Sequence, residues 1–398
     1  MLLWQRVRDV RLWATVPEEA HTGLFVGQET VESTLEAAEA LAVGLTAPLR
    51  ALAALVRFPE YVDRRDLSAA CLTISEWAES SHMPETALHF AEAAALTDPM
   101  SARASAAAGS ACAQQAADQR AELWFLRAIC IARRTRDWEW HARAYIRLGM
   151  LFYELGDLGR ARRAYERARS SAKWSGHYSY AAKAHHDLLL LECAVGTYEG
   201  GDQHARRALE LYPTQFPRLP HLAHDFAYLL TCHGAFVDAL EVLDAALPFF
   251  ARPWERVAIM GTIAKAAAGV DLRDRHNEAV ADLLLLATVA ETHAAAALVL
   301  AAEGAHLLQE WERARRLAEY GLEVAERRHE RDPQRRARRV LELVMEHRPE
   351  TPIRPLSSKE RVASTKALFL KRLRDLRASA AETGTHTELA HFTMSGRL

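Results

Sequence analysis

Two short motifs in the middle of the chain place a histidine beside an aspartate, a combination that can bind metal ions or move protons. His186 precedes Asp187, and His224 precedes Asp225. Hydrolytic metal sites use such pairs, but they also need further His or carboxylate ligands from neighbouring elements. Nothing in the spacing supplies those ligands, so we favour groove or surface histidines and predict no metal ion and no cofactor.

Other motifs that carry chemistry are missing from the sequence. It contains no Walker loop, no HExxH and no GxSxG elbow. The five cysteines are odd in number and scattered, which excludes a disulfide framework and a CxxC zinc site and indicates a reducing compartment. We therefore predict that the protein is not an enzyme.

A basic segment near the C-terminus is the most distinctive feature of the charge pattern. Between residues 358 and 381, apolar side chains recur every three or four positions, which predicts one amphipathic helix. Three alternatives stay open: the helix docks back on the chain as a cap, binds a partner helix or membrane surface, or contacts nucleic acid. Its candidate contact residues are Lys359, Arg361, Lys366, Lys371, Arg372, Arg374 and Arg377.

The overall charge excludes a strongly basic nucleic-acid binder, because 50 Lys and Arg offset 52 Asp and Glu. Residues 1–100 are acidic, whereas residues 327–378 carry 16 Lys and Arg against 7 Asp and Glu. Opposed ends indicate separate surfaces for different partners, or mutual attraction. No secretory signal or transmembrane segment is evident, so we expect a cytoplasmic protein, and its Ala and Arg richness is typical of GC-rich bacteria.

Apolar residues recur at helical spacing through nearly the whole chain, which predicts an all-α fold. Proline and glycine interrupt this pattern at short intervals and mark the turns between helices. On this basis Gly200-Gly201 is predicted to be an inter-helix turn, and Pro48 to interrupt a helical pair over residues 29–54.

Residues 142–173 carry a repeat motif. Tyr145, Leu148, Gly149 and Phe152 follow the spacing W-x2-L-G-x2-Y, and Ala161 with Tyr165 follows A-x3-F. This segment resembles the tetratricopeptide repeat, a pair of antiparallel helices. Weaker copies begin near residues 68, 102, 182, 220, 254 and 295. The resemblance implies a helical-hairpin solenoid that coils into a right-handed superhelix, of the bacterial regulatory or scaffold type.

The same patterns divide the chain into five predicted segments. Residues 1–67 form an N-terminal helical cap, and residues 68–348 form about seven repeats followed by a capping helix. A Pro-rich linker occupies residues 349–357, the basic amphipathic helix 358–381, and a disordered tail 382–398.

The resemblance also implies a ligand-binding groove lined by the first helix of each repeat. A groove that is basic and rich in histidine suits a protein or peptide partner, acidic or with a free carboxylate. Met150 and Leu190 stand where chaperone-binding repeats have Asn, which disfavours chaperone tails. The groove candidates carried over by position are Arg103, Arg143, Arg147, Lys183, His186, Leu190, His221, His224, Tyr228 and Lys265, together with Met150, Asp187 and Thr262.

These observations predict a non-catalytic scaffold, adaptor or sensor that holds a partner segment in the groove. One alternative is a regulator that responds to a signal peptide, although residues 1–28 are short for an N-terminal effector domain. The other is a nucleic-acid-associated protein that acts through the basic arm, and no base-reading motif accompanies it. The partner and the oligomeric state are not predicted.

Overall fold

The alternation of amphipathic segments and short turns produces helices throughout a computed structural model of the chain. The structure describes residues 2–25, 44–213, 216–290, 293–348 and 359–382, and none of these residues lies in a β-strand. The predicted all-α fold is therefore confirmed. The chain divides into two units, residues 1–151 and residues 152–398. None of the described helices is long and apolar enough to cross a bilayer.

The first unit begins with two helices and continues with two helical hairpins. In each hairpin the second helix packs antiparallel on the first, and α1 packs on α4. Its core joins Trp13 of α1, Leu52 of α2 and Phe90 of α4. The helices are α1 Leu2–Thr15, α2 Thr46–Arg57, α3 Arg64–Ser80, α4 Pro84–Thr97, α5 Ala102–Gln114, α6 Asp118–Thr135 and α7 Trp138–Glu154, whose last turn belongs to the second unit.

Among the described residues, the second unit contains four further hairpins and three single helices, α8, α17 and α18. The hairpins pair α9 with α10, α11 with α12, α13 with α14, and α15 with α16, while α17 packs on α16. The helices are α8 Leu158–Trp174, α9 Tyr178–Val195, α10 Tyr198–Leu211, α11 Leu219–Cys232, α12 Phe236–Ala246, α13 Pro253–Gly269, α14 Arg273–Ala287, α15 Ala294–Leu307, α16 Trp311–Arg327, α17 Arg331–Met345 and α18 Lys359–Glu382.

One type of turn ends most of these helices. A residue one or two positions after the helix takes a left-handed conformation, and the next N–H donates to a carbonyl five residues back, as Asp157 does to Phe152. The predicted turn at Gly156-Asp157 is confirmed: Gly156 has φ 78°, and the Asp157 carboxylate caps α8 by accepting from the Arg160 N–H. The turn ends eleven of the described helices.

Two predicted breaks fall elsewhere. Gly200 and Gly201 lie inside α10, and the turn before that helix is at Gly196. A Cβ atom on Gly201 would lie 2.7 Å from the Leu229 side chain, so this glycine serves close packing of α10 on α11 and not a turn. Pro48 lies in the first turn of α2, where a missing N–H costs nothing. Residues 29–43 of the predicted pair lie outside the described residues.

Small residues set the distance between neighbouring hairpins. A Cβ atom on Gly261 of α13 would lie 2.5 Å from the Cα of Ala297 on α15. Ala264 of α13 and Ala301 of α15 are also fully buried. Without larger side chains between them the two backbones approach closely, which brings the polar residues on their shared edge within hydrogen-bond distance.

Candidate functional site

The three arginine groove candidates of the first unit have partners within that unit. The Arg103 guanidinium forms an exposed ion pair with Glu76, 2.9 Å away. Arg143 lies over the Trp140 ring, 3.9 Å from its centroid, and pairs with Glu139. Arg147 donates to the Ser110 hydroxyl at 2.8 Å.

In the second unit, a hydrogen-bonded chain joins three first helices. His186 of α9 contacts one Asp225 oxygen through Nε2 at 2.6 Å, and His224 of α11 contacts the other through Nδ1 at 3.0 Å. The Nε2 atom of His224 lies 2.9 Å from the Thr262 hydroxyl on α13. Because a carboxylate only accepts hydrogen bonds, both imidazole nitrogens that face Asp225 carry a hydrogen.

The two histidines explain the charge state of Asp225. Burial by itself would raise the pKa of this carboxyl, but the hydrogen bonds and charges of His186 and His224 outweigh burial and hold its pKa well below its usual range. The carboxylate therefore stays ionised at neutral pH and orients both rings. The two sequence motifs are thus joined across neighbouring repeats into one polar chain.

A second cluster lies further along the same set of helices. Glu303 of α15 accepts from Lys265 of α13 at 2.8 Å and from Arg336 of α17 at 2.9 Å. Arg336 also donates to the Tyr228 hydroxyl of α11 at 3.2 Å. Burial alone would raise the pKa of Glu303, but the two cations outweigh it and lower its pKa to about 2. Four helices meet at this ion cluster.

The remaining candidates of this unit lie beside these clusters. Lys183 pairs with Asp187 one turn along α9. His221 of α11 lies 3.5 Å from Glu255 of α13. Leu190, on the same side of α9 as Lys183 and His186, is half-buried. We name the surface formed by Lys183, His186, Asp187, Leu190, His221, His224, Asp225, Tyr228, Glu255, Thr262, Lys265, Glu303 and Arg336 the polar face.

The pairing alters the charge expected of this surface. The sequence indicated a basic lining, yet Lys183, Lys265 and Arg336 each contact a carboxylate of the chain itself. These three cations of the polar face are already paired with carboxylates, so they do not favour an acidic ligand. Among the residues that the structure describes, no three His, Cys, Asp or Glu side chains are grouped so that they could hold a metal ion.

The sequence did not indicate the partners of these candidates. Neither Glu303 nor Arg336 was among the predicted groove residues. Both lie on helices of the same repeat series, and Glu303 lies 38 residues after Lys265, close to the repeat period. That spacing was the available signal, because equivalent positions of successive repeats face one another.

The basic arm, α18, packs against α10, α11 and α12. Three of its candidate contact residues bind this same chain: Lys366 pairs with Asp238, Arg372 donates to the Tyr212 carbonyl, and Arg361 lies 3.9 Å from Asp202. The other four are exposed: Lys359, Lys371, Arg374 and Arg377.

Comparison with known proteins gives similarity in structure alone. No family model and no curated protein matches the sequence. A Rap protein solved in complex with competence and sporulation factor has a TM-score of 0.57 at 11% identity, over 83% of this chain and 98% of that chain. A tetratricopeptide repeat protein from Parabacteroides merdae has a TM-score of 0.49 at 16% identity, over 70% of this chain and 98% of that one. A Rap conjugation gene regulator solved with the Phr* peptide has a TM-score of 0.46 at 14% identity, over 89% and 99%.

The similarity to the first Rap protein agrees with the hairpins and with the motif of residues 142–173. At 11% identity it establishes a fold and not an activity. The chain therefore has the tetratricopeptide-repeat fold, a series of antiparallel helical hairpins.

Proposed function

We propose that the protein is a non-catalytic scaffold or regulator that binds a peptide or an extended protein segment along the polar face of its second unit. The observation that carries the proposal is a pair of buried polar atoms that lack a partner. His186 Nδ1 and Asp187 Oδ2 have no hydrogen-bond partner among the residues that the structure describes. A buried polar atom without a partner is costly, so a ligand that completes these hydrogen bonds gains free energy there.

A peptide backbone provides hydrogen-bonding groups at regular intervals. Each residue other than proline carries one N–H group, and an extended segment exposes these groups to both sides. The polar face matches this with acceptors and donors on α9, α11 and α13, the first helices of successive hairpins. Half-buried Leu190 adds an apolar contact for a ligand side chain. The proposed ligand is therefore recognised through its backbone and one apolar side chain.

The similarity to a Rap protein solved with competence and sporulation factor supports a binding role by analogy of fold. The internal ion pairs argue against strong selection for acidic ligands, because an acidic segment would have to displace Asp187 or Glu303 from its cation. We expect a ligand close to neutral.

The proposal is tested by blocking the face without removing any of its hydrogen bonds. Leu190→Glu places a charged side chain among the polar-face residues, and Leu285→Glu makes the same change at an exposed position of α14. The probe is an immobilised library of random decapeptides, read by binding of the labelled full-length protein. We expect wild type and Leu285→Glu to retain the same peptides and Leu190→Glu to lose them at least tenfold. A wild-type protein that retains no peptide, or an equal signal from Leu190→Glu, would refute peptide binding at this face.

A further inference from the structure

The basic arm occupies a well-defined seat on the second unit, formed by α10, α11 and α12. Its apolar stripe is fully buried there: Val362, Phe369, Leu373 and Leu376. The Phe369 ring stacks on Phe226 of α11, with centroids 4.7 Å apart and an angle of 10° between the planes. The stripe predicted from sequence is therefore the docking side of α18.

Acidic side chains hold one end of the arm in register. Asp202 of α10 accepts from the Thr365 hydroxyl and lies 3.9 Å from Arg361. Asp238 and Glu241 of α12 both contact the Lys366 ammonium, at 2.6 and 2.8 Å. The seat thus combines an apolar slot with three carboxylates that select basic and hydroxyl side chains.

Main-chain carbonyls hold the other end. The Arg372 guanidinium donates to the carbonyls of Leu209 and Tyr212, 3.3 and 2.7 Å away. These carbonyls lie at the C-terminus of α10, where helices carry unsatisfied acceptors and a partial negative charge. A second cation is therefore favoured here, six positions after Lys366.

The polar part of this interface differs from the Glu303 cluster, where four helices meet. Without α18, Asp202 would keep its ion pair with Arg206, and Asp238 and Glu241, which are already partly exposed, would face water. Interfaces of this mixed kind resemble those between proteins that associate and separate. The arm is not part of the hairpin series, although its apolar stripe joins the same core as those hairpins.

We propose that the seat of α18 is a binding site for a basic amphipathic helix of a partner protein, which displaces α18. The charge pattern of the seat defines that helix. It carries an aromatic residue where Phe369 stacks, apolar residues four and seven positions later, and basic residues three positions before and three after the aromatic one. The arm's own sequence satisfies this pattern and holds the seat in the absence of the partner.

A peptide competition experiment tests the proposal on the full-length protein. The probe is a fluorescein-labelled peptide with the sequence of residues 358–381, which stands in for the partner helix. Phe369→Ala weakens the chain's own arm and leaves the seat intact, whereas Leu368→Ala truncates the neighbouring half-exposed residue as the matched control. We expect the probe to bind the Phe369→Ala protein at least tenfold more tightly than the Leu368→Ala protein or wild type. Adding Asp238→Asn and Glu241→Gln to Phe369→Ala is expected to reverse that gain.

Equal binding to all four proteins, or no binding to the Phe369→Ala protein, would overturn the proposal. Hydrogen exchange on the wild-type protein adds a readout that needs no variant. Amides of residues 362–376 are expected to exchange at least tenfold faster than those of α11, because the arm dissociates without global unfolding. Equal protection of both helices would make the arm a permanent part of the core. A wild-type dimer that exchanges arms, seen by light scattering and lost in Phe369→Ala, would assign the seat to a second copy instead.

Discussion

Replacing Glu303 by glutamine removes one negative charge from between two buried cations. The Glu303 side chain is 12% exposed, that of Lys265 8% and that of Arg336 19%. Glutamine keeps the shape of the side chain, but it turns an NH₂ group towards donors and removes the carboxylate that Lys265 and Arg336 share. Arg336 then keeps only Asp332, 4.0 Å away. Breaking a buried pair in this way costs about 3–5 kcal/mol.

The pKa of Glu303 leads to a similar magnitude. It is lowered from 4.5 to about 2, and each unit corresponds to about 1.4 kcal/mol, so the charged form is favoured by about 3 kcal/mol. We expect Glu303→Gln to lower the free energy of unfolding at pH 7 by about 3 kcal/mol. Because the folded-state pKa is the lower one, this contribution is present above pH 4.5 and is lost as the pH falls towards 2.

The assay is urea denaturation followed by circular dichroism at pH 7 and at pH 3. The matched control is Glu326→Gln, which makes the same chemical change in an ion pair with Arg338 whose side chains are more than half exposed. We expect that control to cost less than about 1 kcal/mol. Equal losses for the two variants at pH 7, or a Glu303→Gln penalty that does not shrink at pH 3, would refute the buried-charge explanation.

Two further predictions concern helix spacing and pH. Gly261→Ala is expected to destabilise the protein by about 3 kcal/mol, because the new methyl group meets the Ala297 backbone. The control Gly159→Ala, with no contact under 3.7 Å, is expected to be neutral or stabilising by up to about 1 kcal/mol. Equal melting temperatures of the two variants would contradict the close approach of α13 and α15. Burial and the neighbouring His204 lower the pKa of His185 to about 3, so the unfolded chain binds the extra proton first and stability falls as the pH drops below about 6.5. His185→Gln is expected to remove about 1 kcal/mol of the stability difference between pH 7.5 and pH 5.5. The check is the urea midpoint of each protein at both pH values. If the midpoint of the variant shifts between them as much as that of wild type, His185 is not the source of the pH dependence.

Local sequence accounts for most of the secondary structure but not for all of its turns. Gly156 marks a turn because glycine adopts the left-handed conformation without strain. Ala116, Asp271 and Gln309 take the same conformation without that signal, so the turns after α5, α13 and α15 were not predicted from these residues. At those turns the packing of two helices holds a residue in a conformation that its own side chain does not favour.

The candidate site was predicted as a set of positions and not as a network. Repeat equivalence placed His186 and His224 on one surface, and both lie on the polar face. The pairing of charges was not predicted in the same way. Glu303 and Arg336 are 33 residues apart, close to the repeat period, but that period places positions next to one another without indicating which side chains pair. The basic lining expected from the sequence therefore became a series of internal ion pairs.

The sequence by itself determined that the chain is helical, that it repeats, and that its C-terminal helix has one apolar side, because these properties depend on spacing within 3 to 40 residues. Tertiary structure decided which charges neutralise one another and where α18 binds. Those outcomes depend on contacts such as Thr365 with Asp202, 163 residues apart, and on the close approach of backbones at Gly201 and Gly261. Contacts over such separations follow from how helices pack, and no local pattern encodes them.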